Sequence, residues 1–304
     1  MTSLYVLPLG IVGSLARPAR RRGTATAGTT PAVAAGSIPV SGPAMAGRPS
    51  DPIVELTDIR VSFGGVCALN GVSLSVAPGS VHALIGPNGA GKTVLLNVLG
   101  GYYQPAAGTV RLGTRPITGL PAHRVARLGV ARTFQTTQLF SELSVLENVL
   151  ADFPGQTRGR LLDSLVASPR ITREEAGRRA AAVELLAFAG YPGPLGAPAR
   201  SLPFGHQRLV EIARALALGP VLLAMDEPAS GLNPKEIEAL DELIARIRAR
   251  GVAVLLVEHH MDLVMGISDR VTVLDHGETL AEGTPDEVQA DPRVVQAYLG
   301  EEAA

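Results

Sequence analysis

Residues 81–93 read VHALIGPNGAGKT, and Gly86, Pro87, Asn88, Gly89, Ala90, Gly91, Lys92 and Thr93 fill the pattern G-x-x-x-x-G-K-T. Few octapeptides restrict a fold so narrowly. The glycines let successive backbone N–H groups curl into one concave surface, which suits a phosphate. Lys92 brings a compact positive charge to the β and γ phosphates of a nucleotide, and Thr93 offers a hydroxyl to Mg2+. The pattern requires a strand before it and a helix after it. Both are legible, since VHALI is a short apolar run ending in glycine and TVLLNVL repeats apolar residues at helical spacing. Without such flanks the octapeptide would be only a glycine-rich turn.

The same texture continues along the chain. The runs IVELTDIRVSF, GVSLSVAPGS, VLLAMDE, VAVLLVEHH and RVTVLDHG read as strands, and amphipathic segments such as PKEIEALDELIARIRARG read as helices between them. That alternation predicts an α/β core around a largely parallel sheet. Residues 136–200 differ, being rich in Ala, Arg, Glu and Leu, and are expected to form an inserted helical subdomain. With 304 residues and 46% hydrophobic content, the chain has enough material for one substantial core and a small satellite.

A second acidic motif follows from the first. VLLAMDEP, residues 221–228, is an apolar strand that delivers two carboxylates at its C-terminal end, where open α/β sheets bind ligands. Asp226 is expected to hold Mg2+ through its water shell, and Glu227 to polarise the water that attacks the γ-phosphate. Acid pairs at strand ends also occur as solvated caps; the phosphate loop upstream is what favours the nucleotide role.

Residues 202–208, LPFGHQR, raise a different question. Pro203 pre-sets the angle of a first helical turn and Gly205 permits close approach of a ligand, ahead of the helical run LVEIARALAL. A helix start collects unpaired N–H donors and attracts anions. On these residues alone, an anion site and a plain loop capping a surface helix both remain open.

Charge and cysteine content exclude several classes. A net charge of −1 gives no electrostatic case for nucleic acid as a partner. Cys67, the single cysteine, rules out an intrachain disulfide framework, and is read as a small buried apolar residue. His82, His123, His206 and His276 lack metal-ligand spacing, so no zinc site is expected. LYVLPLGIVGSLA near the start has no preceding Lys or Arg, is broken by Pro8, and is shorter than the roughly 18 to 20 apolar residues that span a bilayer. Residues 1–52 are expected to be a flexible extension, or sequence upstream of the true translation start.

Taken together, the phosphate loop, the acidic strand and five further stretches resemble the ATP-binding cassette family, the ATPase subunits of membrane transporters, over residues 53–304. The resemblance implies a P-loop NTPase (RecA-like) core with an antiparallel β subdomain and an inserted helical subdomain. By the family pattern, the β subdomain and first part of the core take residues 53–135, the second part of the core 201–285, and a C-terminal helix and tail 286–304. Phe63 in VSFGG falls where the family sets a ring against adenine, although a core aromatic of a β-hairpin is an open alternative. Gln135 in RTFQ falls at the Q-loop, whose glutamine reaches the metal and the attacking water. Leu202, Pro203, Phe204, Gly205, His206 and Gln207 occupy the signature motif, which completes the ATP site of an opposing subunit. Ser230, Gly231, Leu232 and Asn233 follow the acidic strand as the D-loop does, and His259 falls at the switch histidine that contacts the γ-phosphate. His260 is then a helix-start residue facing solvent.

The resemblance narrows further at RVARLGVARTFQTTQLFSELSVLENVL and at the closing run from Met261, which look like the ATP-binding subunit of branched-chain amino-acid importers; the chain is expected to end where that subfamily does. Urea importers and the ATPase of lipopolysaccharide export are near relatives. The resemblance implies ATP and Mg2+ as ligands and a second cassette, identical or not, as partner. It also implies two permease subunits, an indirect link to a solute-binding protein, and a place at the cytoplasmic face of the membrane. Two rivals are a soluble P-loop phosphotransferase, which leaves LPFGHQR and His259 unexplained, and a cassette protein acting on DNA or ribosomes, which usually carries two cassettes or a long coiled-coil insert. Three positions depart from the pattern. Val94 stands where many cassettes place a second hydroxyl near the α-phosphate, Pro203 where serine is usual, and His260 where aspartate is usual.

Overall fold

The computed structural model describes residues 51–153 and 169–301. The expectations for the first fifty residues, and part of the expected helical insert, lie outside the described residues. A first, antiparallel sheet is built from β1 (Val54–Phe63), β2 (Val66–Val76), β4 (Ala107–Leu112) and β5 (Arg115–Pro116), in the order β2-β1-β4-β5. Period-two burial along β1 and β2 turns one face of this sheet inward, as alternating apolar residues require.

The second sheet carries the phosphate loop. It comprises β3 (Val81–Ile85), β6 (Val130–Arg132), β7 (Leu222–Asp226), β8 (Ala253–Val257), β9 (Arg270–Asp275) and β10 (Glu278–Gly283), ordered β10-β9-β3-β8-β7-β6. The pairs β9–β3, β3–β8, β8–β7 and β7–β6 are parallel, and β10 closes one edge antiparallel. β3, β7 and β8 are buried at every position, which is why, His82 and Asp226 apart, they read as apolar runs rather than alternating ones.

Two cores lie on the two faces, and strand parity sorts residues between them. Leu222, Ala224, Ala253, Leu255 and Val257 join the antiparallel sheet and helix α1 (Lys92–Leu99). Leu223, Met225, Val254 and Leu256 join the cluster with α3 (Val145–Leu150), α4 (Pro169–Ala189), α5 (Phe204–Ala217) and α6 (Pro234–Ala249). Asp226, two residues beyond Ala224, therefore falls on the side of α1, where the phosphate loop ends. The short α2 (Ala122–Arg127) precedes β6. The helices α7 (Met261–Ile267), α8 (Pro285–Ala290) and α9 (Pro292–Glu301) complete the chain, and Val264, Val288 and Val294 from them cover Ala83, Ile85, Val271 and Val273.

Caps set several helix starts. Ser144 and Glu147 form a reciprocal capping box on α3, and Asn233 and Glu236 form one on α6, with Pro234 in its first turn. Within residues 136–200, the described elements are α3, α4 and a 3₁₀ turn, Ala199–Ser201. Cys67 departs from the sequence expectation by being exposed. It pairs with Ser62 near the tip of the β1–β2 hairpin, past a register shift after Val61, where the strands overhang the packed part of the sheet.

Candidate functional site

β3 leads straight into the loop 86–91, and three of its glycines have positive φ, at 144° for Gly86, 81° for Gly89 and 101° for Gly91. Space decides between them. A Cβ on Gly86 would collide with the Leu274 carbonyl oxygen of β9, and one on Gly91 would meet the Ala68 carbonyl at 2.7 Å, whereas Gly89 faces open space. The loop is pressed against neighbouring backbone at both ends and open in the middle, as a phosphate cradle must be. Lys92 is buried, its Nζ donating to the carbonyls of Gly86 at 2.6 Å and Pro87 at 2.8 Å. Asn88 and Thr93 are exposed and Ala90 is buried, while Val94 packs against the apolar cluster beneath α1. The side chain of Val94 thus packs on the core while staying half-buried.

At the end of β7, Asp226 is buried, and its Oδ2 accepts from Arg132 at 2.9 Å. Arg132 also donates to Asn97 of α1 at 2.6 Å, and its guanidinium lies over the rings of Phe134 and Tyr102. Burial pushes the Asp226 carboxyl above its ordinary value, and the Arg132 guanidinium pulls it back. Glu227 adopts a left-handed conformation, φ 47°, with its N–H donating to Val257 of β8 at 2.8 Å. A non-glycine residue in that region is held there by its surroundings.

That turn aims Glu227 at the side chains of Gln135 and His259. Gln135 Nε2 donates to Glu227 Oε2 at 2.7 Å, and His259 Nε2 lies 2.8 Å from Glu227 Oε1. Three residues from three loops thus form one hydrogen-bonded chain beside Asp226. His260 begins α7 as its N-cap, with an exposed ring, as expected.

Phe63 is 46% exposed, so it is no core aromatic; its ring meets that of Tyr103 edge-on at 5.2 Å. Within residues 202–207, Leu202 is buried and Pro203 is the N-cap of α5, extended at ψ 151°, so the helix starts one residue later than Pro203 alone suggests. Gly205 is buried, and a Cβ there would collide with the Glu236 carboxylate, the same group that accepts from Asn233 N–H in the α6 capping box. What closely approaches Gly205 within the chain is therefore a carboxylate of the segment after residues 230–233. Phe204 likewise touches that loop, since a Cβ on Gly231 would lie 3.1 Å from its ring. The His206 ring turns to Tyr191, 5.7 Å between centroids, and Gln207 accepts from Thr137 and donates to the Leu202 carbonyl.

Sequence reasoning missed several buried charged side chains. Arg208, 1% exposed, donates to the carbonyls of Phe134 at 2.7 Å and Gln135 at 2.9 Å and to Glu211 at 2.7 Å. Arg132 grips Asp226, and Glu258 is buried at the end of β8. Each stands inside a quoted motif, ARTFQ, LPFGHQR or VEHH, and the signal was a charged residue next to an apolar run.

Comparison with known proteins agrees with this geometry. The ABC transporter family model matches residues 69–230, more than half of the chain, and the model described as branched-chain amino acid ATP-binding cassette transporter matches residues 278–304. The high-affinity branched-chain amino acid transport ATP-binding protein LivG of Salmonella typhimurium is 44% identical over 253 residues, 83% of this chain and 99% of that one. BraF of Pseudomonas aeruginosa, named for the same transport role, is 44% identical with the same coverage. Among solved structures, the ADP conformation of MJ1267, an ATP-binding cassette of an ABC transporter, superimposes with a TM-score of 0.71 at 35% identity, covering 82% of this chain and 99% of that one. A nucleotide-free cassette from an ABC transporter gives 0.70 at 34% identity, with 81% and 98% covered. Likeness in sequence and in fold across nearly the full length of these relatives shows that the chain belongs to the ATP-binding cassette (ABC) transporter family.

Proposed function

We propose that this protein is the ATP-hydrolysing subunit of an importer for branched-chain amino acids. The observation that carries the reading is the hydrogen-bonded chain Gln135–Glu227–His259, set at the sheet end beside Asp226 and following a phosphate loop in which Gly86 and Gly91 leave no room for side chains. The substrate class rests on the relatives and on the match over residues 278–304.

In this reading the 86–91 amides and Lys92 bind the phosphates, with Phe63 against adenine and the Val94 backbone near the α-phosphate. Glu227 takes a proton from the attacking water, its two oxygens oriented by Gln135 and His259. His259 then bears on the γ-phosphate. Thr93 and Gln135 would hold Mg2+ directly and Asp226 through its water shell, and the ion would neutralise charge building on the phosphate oxygens. Among the described residues, no three His, Cys, Asp or Glu side chains form a metal cage. Mg2+ needs none, because it keeps several waters and takes one or two protein oxygens together with phosphates.

A second cassette, bound head to tail, presents its Leu202–Gln207 segment to this subunit's ATP, and Ser230, Gly231, Leu232 and Asn233 lie at that interface. Pro203 brings neither hydroxyl nor N–H, so the contact falls to the Gly205 amide and the start of α5. Residues 136–200 act as a helical subdomain that passes motion from the Gln135 loop to two permease subunits, which receive solute from a binding protein. No helix among the described residues is long and apolar enough to cross a membrane, and we place the protein at the cytoplasmic face through its permeases.

Phosphate release from ATP without any acceptor, followed by reconstitution with permeases and binding protein, tests this. Leucine should stimulate turnover and urea should not. A Glu227→Gln variant should bind ATP and lose about 10²- to 10⁴-fold in kcat. ADP formed only when an acceptor molecule is present, with the γ-phosphoryl group carried on that acceptor and little free phosphate, would instead identify a phosphotransferase.

A further inference from the structure

β8 is buried at all five positions, and the residue that follows, Glu258, is still only 1% exposed. A carboxylate so placed must be fully hydrogen-bonded. Its partners come from two separate loops. Oε1 accepts from Ala229 N–H at 2.6 Å, in the loop that leads to Ser230–Asn233, and Oε2 accepts from His259 N–H at 2.9 Å. Oε2 also meets His260 N–H at 3.3 Å and the His260 ring nitrogen Nδ1 at 3.2 Å.

The two loops are laced twice more. Glu227 N–H donates to the Val257 carbonyl at 2.8 Å, and His259 Nε2 returns to Glu227 Oε1 at 2.8 Å. The result is a closed ring, from Glu227 through Ala229 to Glu258 and His259 and back to Glu227. Glu258 joins both loops through a side chain that meets the backbone of His259 but none of the side chains assigned to ATP. A shift of the 229–233 loop pulls on Oε1 and, through the same rigid carboxylate, on the backbone of His259.

We infer that Glu258 is a positioning residue that makes the 229–233 loop and the switch histidine move as one body, so that a partner subunit pressing on the first sets the second. The inference rests on the proposed reading of the site. Hydrolysis in one site would then respond to occupation of the interface through Glu258, with no new contact to nucleotide.

The test is Glu258→Gln, with Glu258→Asp as a second variant that keeps the charge but is one methylene too short to reach both loops. An amide has one acceptor oxygen and places its NH2 against the other N–H donor. Hydrogen exchange in the apo protein should quicken about 10- to 100-fold in both segments 227–234 and 257–262, together and by a similar factor. Affinity for a fluorescent ATP analogue should stay within about twofold, because the phosphate loop is untouched, while kcat for phosphate release falls about 10- to 100-fold. Faster exchange in only one segment overturns the inference, as does an unchanged kcat or an equal loss of affinity and kcat. Should the Gln variant fail to unfold cooperatively, the Asp variant decides by the same readings. A wild-type protein that releases no phosphate would sink the functional reading instead, and the exchange measurement would still judge the coupling.

Discussion

Replacing Arg208 by methionine separates the structural from the functional part of the link between α5 and the Gln135 loop. Arg208 is 1% exposed and donates to the Phe134 and Gln135 carbonyls and to Glu211, with its guanidinium over the Phe204 ring at 5.5 Å. Methionine has similar reach and is at home beside an aromatic ring, so packing survives. What is lost is the counter-charge of a buried carboxylate, a change that typically costs about 3–5 kcal/mol. The pH dependence carries a definite sign. Burial already raises the Glu211 carboxyl above its ordinary value, and Arg208 is the main group opposing that rise. Without Arg208 the folded-state value climbs further, so the folded variant holds a proton that the unfolded chain has released at the same pH. The stability gap to wild type is therefore full above the raised value and narrows as pH falls toward the unfolded carboxylate range.

Urea denaturation followed by far-UV circular dichroism at pH 8 and pH 5.5 reads the gap, and phosphate release reads function. The double variant Arg208→Met/Glu211→Met replaces the pair by apolar side chains and should recover most of the stability. It should not recover turnover, because the Phe134 and Gln135 carbonyls have lost their donor and Gln135 is no longer held toward Glu227. A gap under about 1 kcal/mol at pH 8, a gap that widens on acidification, or a double variant with wild-type turnover would each refute the reasoning.

Three further outcomes follow from the same geometry. Gly205→Asp should abolish turnover and leave ATP binding to the isolated subunit nearly intact; because the new carboxylate would crowd Glu236, it should also loosen the α6 cap, costing about 1 kcal/mol in denaturation, and loss of ATP binding by the isolated subunit would assign the motif to its own site. Gly86→Ala should fail to bind nucleotide in equilibrium titration, since both its φ and the Leu274 carbonyl oppose a side chain; wild-type affinity would show the loop to be looser than described. His82, buried and hydrogen-bonded to Thr272 at 2.8 Å, has its pKa lowered to about 4, chiefly by desolvation. The unfolded chain takes up its proton first, so this contribution to stability is lost as pH falls from 6.5 towards 4, by about 3 kcal/mol in full. Denaturation of His82→Gln across that window should show a flatter pH dependence than wild type, and parallel curves would remove His82 as the cause.

Much of this protein is written locally. The cradle 86–93 needs glycine for its backbone angles and lysine for its charge wherever it folds, and β3, β7 and β8 are buried on both faces, so their composition announces them. The acidic pair at the end of β7 follows from the same logic, because a strand buried on both faces can present carboxylates only at its end. Other features depended on the assembled fold. Gln135 and Glu227 are 92 residues apart in the chain and Glu227 and His259 32 apart, and no periodicity states that they share a hydrogen-bonded chain. Cys67 was expected inside and is exposed, because burial there depends on how far the hairpin tip reaches past the sheet. Arg132, Arg208, Glu211 and Glu258 look in sequence like solvated charges. A charge enters an interior only where partners from other segments offset its desolvation, and tertiary packing alone brings those partners to hand.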